Sequence, residues 1–381
     1  MVALILFGAL PLLIWLGLLT ANGKFWLCGE RDDRDTPPEP TAWPSVTAVV
    51  PARDEADVIA RSIGSLLAQD YPGDFKIILV DDNSSDGTAE AAKAEARRLK
   101  QTKRLTVLNG APLAEGWTGK LWAVSQGVAQ AMTDPPKYVW LTDADIGHDT
   151  GNLRALVSRA EARNLVLTSL MVELHCATLA ERFLIPAFVF FFQMVYPFAK
   201  VNGPGKTAGA AGGCMLAKAD ALQAAGGIAA IRKALIDDCA LGALMKKQGH
   251  IWLGLTHRAR SLRPYESFDQ IGRMVSRSAY AQLDYSPLKL LGVVLGMALL
   301  YFAPVEATFL GQGLTRWLGL ATWLMMALSF QPMLRFYRMN PLWGLAMPAI
   351  GAAYSVFTVQ SAVQFWRGEG GLWKGRAQAM A

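Results

Sequence analysis

Between residues 46 and 141 the chain alternates short, strongly apolar runs with segments whose apolar residues recur every three or four positions. Runs rich in Val, Ile and Leu predict strands, and the longer spacing predicts helices. We expect strands at 46–50, 76–80, 105–108 and 138–141, with helices at 56–69, 88–99 and 121–132. This alternation favours an α/β domain in which a mostly parallel sheet is covered by helices on both faces.

Four apolar stretches outside this region are long enough to cross a bilayer. They cover residues 1–23, 290–310, 317–334 and 339–366, and the first contains no charged residue. A cleaved signal peptide is the alternative for residues 1–23, but no basic residue precedes the run and no small-x-small cleavage pattern follows it. We therefore expect an uncleaved N-terminal transmembrane helix and three C-terminal ones.

Two shorter segments also have an apolar character. Residues 183–199 form an aromatic, uncharged run that is short for a span. We expect a helix that lies at the membrane interface or lines a substrate cleft, and a buried core helix remains the open alternative. Residues 268–283 interleave apolar side chains with Arg273 and Arg277, which suits a helix at the lipid headgroups.

The composition agrees with a membrane protein, because 52% of the residues are hydrophobic and the mean hydropathy is +0.24. The 37 basic and 31 acidic residues leave a net charge of +6, which we attribute to cytosolic loops and contact with anionic lipid. No basic stripe with interleaved aromatic residues is visible, so no nucleic-acid partner is expected. The four cysteines lie far apart, which indicates neither a disulfide framework nor a zinc site.

Together these patterns predict six segments. They are an N-terminal transmembrane anchor at 1–23, a charged, proline-rich linker at 24–44, an α/β domain at 45–262, an interfacial amphipathic segment at 263–287, transmembrane helices at 288–366 and a basic tail at 367–381.

The distribution of basic residues predicts the orientation of these segments. Lys24, Arg31 and Arg34 follow the first span and no Lys or Arg precedes it, so the α/β domain is expected in the cytosol. Arg335 and Arg338, between the last two spans, agree with this topology. The basic tail disagrees, because four full spans would place it outside, unless the last apolar segment is a re-entrant hairpin or the tail is an exception.

Carboxylates stand where two of the predicted strands end. Asp82 follows the strand at 76–80, and Asp143 and Asp145 follow the strand at 138–141. Strand ends of this kind face the crevice in which open α/β sheets bind ligands. Two acids two residues apart repel each other unless a cation neutralises them, and a divalent metal that bridges a diphosphate would do so. His148 nearby is interpreted as a loop histidine rather than a ligand.

Further polar residues belong to the same predicted nucleotide site. Pro51, Arg53 and Glu55 follow the first strand, where a base and ribose would meet polar side chains. The segment 116–120 precedes a helix whose N-terminus favours an anionic group. Its Lys120 is expected either to pair with phosphate or to be a solvated surface lysine.

Downstream, a second group of residues suits an acceptor. Residues 209–216 are small, then apolar, which predicts a loop that permits close approach of a ligand, followed by a strand. Asp237 and Asp238 begin an apolar-periodic helix. One of them complements the helix dipole and the other is available as a general base. Gln270 and Arg273 are three residues apart and share one helical face.

Taken in order, these segments resemble the family 2 glycosyltransferases, which have the nucleotide-sugar-binding fold called GT-A. The resemblance covers roughly residues 45–285. It implies that Asp82 contacts the nucleotide, that Asp143 and Asp145 bind Mg²⁺ or Mn²⁺, and that Asp238, the second acid of a Glu-Asp pair, is the catalytic base.

The resemblance also covers Gln270, Arg273 and Met274, which match a Gln-x-x-Arg-Trp motif near the acceptor and the diphosphate. Two positions depart from the family pattern. Asp237 replaces the more common glutamate, and Met274 stands where tryptophan is usual, which removes the stacking surface of that position.

The anchor, the segment 116–120, the Arg263-Pro264-Tyr265 stretch and the C-terminal spans are most similar to the hopene-associated glycosyltransferases of bacterial hopanoid synthesis, relatives of ceramide glucosyltransferases. This implies a UDP-sugar donor, a membrane lipid acceptor, inversion at the sugar carbon, and a multi-pass protein of the bacterial inner membrane. A processive polysaccharide synthase and a catalytically silent membrane scaffold are the alternatives.

Overall fold

The structure, a computed structural model, describes residues 2–369, 372–373 and 376–377, with side chains from residue 7 to residue 369. The strands are β1 (Val46–Ala52), β2 (Phe75–Asp81), β3 (Leu105–Asn109), β4 (Tyr138–Thr142), β5 (Ile146–His148), β6 (Leu167–Glu173), β7 (Cys214–Lys218), β8 (Ile251–Ser261), β9 (Leu372–Trp373) and β10 (Arg376–Ala377).

The α-helices are α1 (Val2–Ala21), α2 (Ile59–Leu67), α3 (Thr88–Arg98), α4 (Gly119–Ala131), α5 (Asn152–Ala162), α6 (Leu179–Val195), α7 (Phe198–Asn202), α8 (Ala219–Ala224), α9 (Asp237–Lys246), α10 (Phe268–Ser276), α11 (Pro287–Met297), α12 (Ala303–Leu310), α13 (Leu314–Ser329), α14 (Gln331–Phe336) and α15 (Met347–Trp366). The predicted strands and helices between residues 46 and 141 are all present, each with its bounds shifted by a few residues.

Two compact units divide the chain. The α/β unit contains Glu30–His175 and Lys200–Pro264, and the helical unit contains Met1–Gly29, Cys176–Ala199 and Tyr265–Gly370. The predicted segment boundaries stay predictions. Most of the predicted basic tail lies outside the described residues.

The α/β unit is built on one eight-stranded sheet with the strand order β3-β2-β1-β4-β7-β6-β8-β5. β3, β2, β1 and β4 run parallel, β6 and β8 are also parallel, and the remaining three neighbouring pairs are antiparallel. Four of the seven pairs are therefore parallel, which confirms the predicted mostly parallel sheet. Because β1, β2 and β4 share one direction, the residues that follow them emerge at one edge.

Helix packing against this sheet follows the apolar spacing. In α2 the buried side chains are Ile59, Ile63, Leu66 and Leu67, which lie on one helical face. α4 approaches β1 and β2 so closely that a Cβ on Gly127 would lie 2.4 Å from Val49 Cγ1 and 3.0 Å from Val80 Cγ2.

The predicted linker does not hang free from the α/β unit. Arg31 forms a parallel bridge with Leu255 of β8. Asp35 accepts from Arg159 of α5 and from Arg163, which directly follows that helix, each at 2.6 Å. The linker has few apolar residues. Hydrophobic periodicity therefore could not predict that ion pairs attach it to the α/β unit.

In the helical unit the first C-terminal span is interrupted for a reason visible in its sequence. Pro304 has no N–H, so the carbonyl of Leu300 lacks its helical donor. Residues 298–302 adopt a π-helical turn there, and the indole N–H of the buried Trp15 donates to Leu300 O at 3.1 Å. This hydrogen bond and the edge-to-face contact of Trp15 with Tyr301, at 5.6 Å, fasten α1 to the C-terminal helices.

Residues 183–199 lie mostly in α6, inside the helical unit. Phe190 is fully buried, its ring packs against Phe25 and Phe330, and Tyr354 donates to Leu184 O at 2.8 Å. The segment is therefore a packed helix on this face, in agreement with the buried-helix alternative.

Three described helical segments are long and apolar enough to cross a membrane: Pro287–Leu310, Leu314–Phe336 and Pro341–Trp366. They coincide with the three predicted C-terminal spans. At the N-terminus the structure has helix α1, of which Phe7–Ala21 is an apolar segment shorter than these three. The N-terminal membrane span therefore stays a prediction.

Replacing Gly127 with alanine tests the close packing of α4. The new Cβ would overlap Val49, so we expect a loss of about 1–3 kcal/mol in the free energy of unfolding despite the better helix propensity of alanine. Urea titration of the purified protein measures this. Gly205→Ala is the matched control, because a Cβ there meets nothing within 4 Å. Equal stability of the two variants would contradict the packing described.

Candidate active site

The buried ammonium of Lys120 is the centre of the site. Its Nζ lies 2.9 Å from Asp143 Oδ1 and 3.1 Å from Asp237 Oδ2, and the side chain is 18% exposed. Burial opposes the charge, but the attraction of Asp143 and Asp237 outweighs it and raises the pKa of Lys120 above its ordinary value. The alternative of a solvated surface lysine is therefore wrong.

Local sequence explains why Lys120 is held at this place. Thr118 caps helix α4 by accepting from the backbone N–H of Leu121 at 3.4 Å, and its own N–H donates to Arg232 O at 3.0 Å. Lys120 is the second residue of α4, so the hydrogen bonds of Thr118 hold its backbone in place.

Two backbone N–H groups hold the carboxylate of Asp238. Its Oδ2 accepts from Gly212 N at 2.9 Å and its Oδ1 from Cys239 N at 2.7 Å. Burial first, and then the neighbouring Asp237, raise the pKa of Asp238, while Lys120 opposes the rise. Gly212 lies in the loop predicted within residues 209–216, and the strand predicted after that loop is the start of β7.

The second acid of the D-x-D pair has a different partner. Asp145 Oδ2 lies 3.8 Å from Arg263 Nε, and Arg263 also makes a short ion pair with the buried Glu55. Burial, together with repulsion from Asp143 and Glu55, raises the pKa of Asp145 to about 6. The carboxylates of this pair thus repel each other, as their spacing predicts.

Asp143 and Asp145 fit a divalent cation by their chemistry. Both are hard oxygen donors, about a third exposed, and a cation would relieve the repulsion between them. Within the part of the chain that the structure describes, no three His, Cys, Asp or Glu side chains are grouped to hold a metal ion. The two carboxylates would therefore share a cation with ligands from a diphosphate and water.

The residues after β1 and β2 lie against each other. Asp82 is fully buried, and Arg53 Nη1 donates to Asp82 O at 2.5 Å and lies 3.7 Å from its carboxylate. Pro51 lines the same cleft as Lys120, Asp143 and Asp237. The apolar part of this cleft, which sequence reasoning missed, is formed by Leu121, Val124, Leu141, Met215, Ile228, Ile231 and Leu241.

His148 is not a loop residue. It ends β5, is buried, and its ring lies 2.9 Å from Thr142 Oγ1 and 3.0 Å from Asn152 Nδ2. Burial lowers the pKa of His148 to about 3, so it is a neutral core residue.

Gln270, Arg273 and Met274 belong to α10, in the helical unit, and are not among the side chains that the α/β unit assembles. Gln270 Oε1 accepts from Glu266 N at 2.8 Å, and Arg273 pairs with Asp269. The Sδ of Met274 lies 2.9 Å from the hydroxyl of Tyr265, so that position has a contact in place of the stacking surface.

The α/β unit has a GT-A-like fold, with carboxylates directly after β2 and β4 of its mostly parallel sheet. Residues 47–226 match the family model "Glycosyl transferase family 2". This part of the chain is similar to the domains of that family.

Two related proteins match shorter segments. A 4,4'-diaponeurosporenoate glycosyltransferase of Staphylococcus aureus is 34% identical over 103 residues, which are 27% of this chain and 24% of the relative. A beta-monoglucosyldiacylglycerol synthase of Synechocystis sp. is 33% identical over 116 residues, which are 30% of this chain and 22% of the relative. The chain thus spans less than a quarter of the length of each.

Among solved structures, the mannosyltransferase PcManGT from Pyrobaculum calidifontis, in complex with GDP-Man and Mn²⁺, has the same fold. The TM-score is 0.57 at 17% sequence identity, over 96% of this chain and 99% of that one.

Lys120→Met tests the ionic centre of the site. The variant leaves Asp143, Asp237 and Asp238 without their shared cation, so we expect a loss of about 2–4 kcal/mol in unfolding free energy at pH 8. The loss should shrink at pH 5, because protonation of the carboxylates relieves their repulsion. Denaturant titration at both pH values measures it.

Lys76→Met is the control for this experiment. Lys76 pairs with Asp134 at 2.7 Å on the surface, and both side chains are mostly exposed. Its removal should change stability by no more than about 0.5 kcal/mol at either pH. If Lys120→Met loses no more unfolding free energy than Lys76→Met at either pH, the ammonium of Lys120 does not stabilise the carboxylates of Asp143, Asp237 and Asp238.

Proposed function

We propose that the protein is a membrane-bound, inverting glycosyltransferase that moves a sugar from a nucleoside-diphosphate sugar to a lipid acceptor. The observation that carries this proposal is the Lys120 ammonium shared by Asp143 and Asp237. It joins a carboxylate suited to a metal diphosphate with the acid pair that contains Asp238, so the two halves of a transfer reaction adjoin in one cleft.

The donor half uses residues at the ends of β1, β2 and β4, together with Lys120 of α4. Pro51, Arg53, Glu55 and Asp82 would bind the nucleoside, and Lys120 would pair with the diphosphate. Asp143 and Asp145 would hold Mg²⁺ or Mn²⁺, which supplies positive charge to the leaving diphosphate when bound. The presence of GDP-Man and Mn²⁺ in the structurally similar mannosyltransferase supports this assignment. A UDP-sugar is the donor that the resemblance implies.

The acceptor half uses the start of α9. Asp238 would accept the proton of a hydroxyl group on the acceptor. The oxygen of that hydroxyl group would form a bond to the anomeric carbon of the sugar, while the bond from that carbon to the diphosphate breaks. Burial and Asp237 raise the pKa of Asp238, which suits a general base near neutral pH. Asp237 acts with it by fixing Lys120. A role of Gln270, Arg273 and Met274 near the acceptor is supported by the resemblance to the Gln-x-x-Arg-Trp motif.

A membrane lipid is the proposed acceptor. Three helical segments long enough to span a bilayer and the named activities of the two relatives support it. The finer assignment, to a hopanoid acceptor in the bacterial inner membrane with the α/β unit in the cytosol, is supported by the resemblance and by the basic residues that follow the N-terminal apolar stretch.

Asp238→Asn should abolish sugar transfer while donor binding stays near the wild-type level. Losing a general base costs about 10²–10⁴-fold in turnover. Release of nucleoside diphosphate from labelled UDP- or GDP-sugars in the presence of membrane lipids measures the rate, and calorimetry measures donor affinity. Asp220→Asn, an exposed acid of α8, is the control.

Wild-type turnover in Asp238→Asn would remove this residue from the mechanism. In the wild type, the rate should fall as the pH drops through the raised pKa of Asp238, because the protonated carboxyl cannot accept a proton.

The cytosolic placement is tested by labelling with a membrane-impermeant maleimide in intact cells. Lys103→Cys, exposed in the α/β unit, should label only after permeabilisation. Gln312→Cys, exposed between the first two C-terminal spans, should label from outside. Labelling of Lys103→Cys in intact cells would overturn the topology.

A further inference from the structure

Arg263 has no role in the function proposed above, yet three carboxylates surround its guanidinium. It forms a short ion pair with Glu55, its Nη1 lies 3.2 Å from Asp57 Oδ2, and its Nε lies 3.8 Å from Asp145 Oδ2. Glu55 and Asp57 come from the loop after β1, and Asp145 comes from the turn after β4. One side chain therefore joins the two loops that make the donor site.

Strand pairing places Arg263 beside Asp145. β5 and β8 run antiparallel with Ile146 opposite Ser261, and the N–H of Leu262 donates to Asp145 O at 2.8 Å. The next residue of the chain is Arg263. Main-chain pairing therefore places the backbone of Arg263 close to that of Asp145, within reach of the guanidinium.

The two acids of the D-x-D pair thus have separate cations from distant parts of the chain. Lys120 of α4 pairs with Asp143, and Arg263 faces Asp145. The attraction of Glu55, Asp57 and Asp145 outweighs the effect of burial and raises the pKa of Arg263 above its ordinary value. Arg263 is consequently a permanent positive charge at the donor site.

We infer that Arg263 supplies the positive charge that balances the carboxylates of the donor site when no metal is bound. It is a positioning residue that holds Asp145 beside Glu55. It also keeps the site from binding a free divalent cation before the nucleoside diphosphate arrives. The inference rests on the proposed function in taking Asp143 and Asp145 as the carboxylates that hold the metal.

Coulomb's law gives the reason. A guanidinium 3.8 Å from Asp145 repels an incoming cation at the same carboxylate, whereas a diphosphate brings negative charge that offsets this repulsion. Metal and diphosphate then bind with positive coupling, and coupling between two ligands is reciprocal. Without the guanidinium, the same carboxylates attract a cation by themselves.

The experiment compares four full-length proteins in detergent: the wild type, Arg263→Met, Arg263→Lys and Arg260→Met. Arg260 is the matched control, because it lies three residues earlier in β8 and pairs with exposed Asp149 at 2.7 Å. Calorimetry or Mn²⁺ paramagnetic resonance measures the affinity for Mn²⁺ alone, for UDP alone, and for Mn²⁺ in the presence of saturating UDP.

Arg263→Met should bind free Mn²⁺ about tenfold or more tightly than the wild type, and the gain in Mn²⁺ affinity on adding UDP should shrink by a similar factor. Arg263→Lys keeps the charge and should stay closer to the wild type, and Arg260→Met should equal it. A residue with only a structural role would weaken Mn²⁺ and UDP binding together, and that outcome would overturn the inference.

Unchanged free Mn²⁺ affinity in Arg263→Met would also overturn it. If this variant is unfolded in metal-free buffer, Mn²⁺ should restore its folding transition, and failure to do so counts against the inference. If the wild type binds no UDP, with or without Mn²⁺, the UDP donor of the proposed function is wrong, whereas the free Mn²⁺ affinities still decide the role of Arg263.

Discussion

A buried ammonium shared between two carboxylates is the constraint on which this site depends. Asp143 emerges from the end of β4 and Asp237 from the start of α9, and Lys120 contacts both, at 2.9 and 3.1 Å. Two carboxylates that share one ammonium are close together, and like charges so close repel strongly in a partly dehydrated cleft. Without the ammonium, the carboxylates of Asp143 and Asp237 would face each other with no positive charge between them.

Arg263 extends the same principle to the other side of the site. Each acid of the D-x-D pair has a cation of its own: Lys120 comes from the helix that precedes β4, and Arg263 follows Asp145 by more than a hundred residues. The raised pKa of Asp145, to about 6, and the raised pKa of Asp238 show that the cations do not fully compensate burial and repulsion. At neutral pH, where these carboxyls are ionised, they therefore lower the free energy of unfolding. Shifted pKa values of this kind are typical of catalytic sites.

Much of the α/β unit was predictable because its strands and helices follow local apolar spacing. The positions of Asp82, Asp143 and Asp145 after strands also followed from local pattern, since parallel strands end at one edge. The partners of these acids did not. Lys120 meets Asp237 across more than a hundred residues, and hydrophobic periodicity carries no information about such a contact.

The same limit explains the other differences. His148 has polar neighbours in sequence but is buried by the pairing of β5 with β8. The linker is apolar-poor, yet charge pairs such as Asp35 with Arg159 attach it to α5. Trp15 docks on a carbonyl that Pro304 leaves without a helical donor, which only the folded helical unit reveals.

The central claim is that this cleft transfers a sugar to a membrane lipid. The most direct measurement incubates the full-length wild-type protein with membrane lipid extract, Mg²⁺ or Mn²⁺ and a panel of labelled UDP- and GDP-sugars, followed by separation of the organic phase. The account predicts a lipid that carries one labelled sugar with inverted anomeric configuration. Label found only in free sugar or in a polymer, or in no product with any donor, would contradict it.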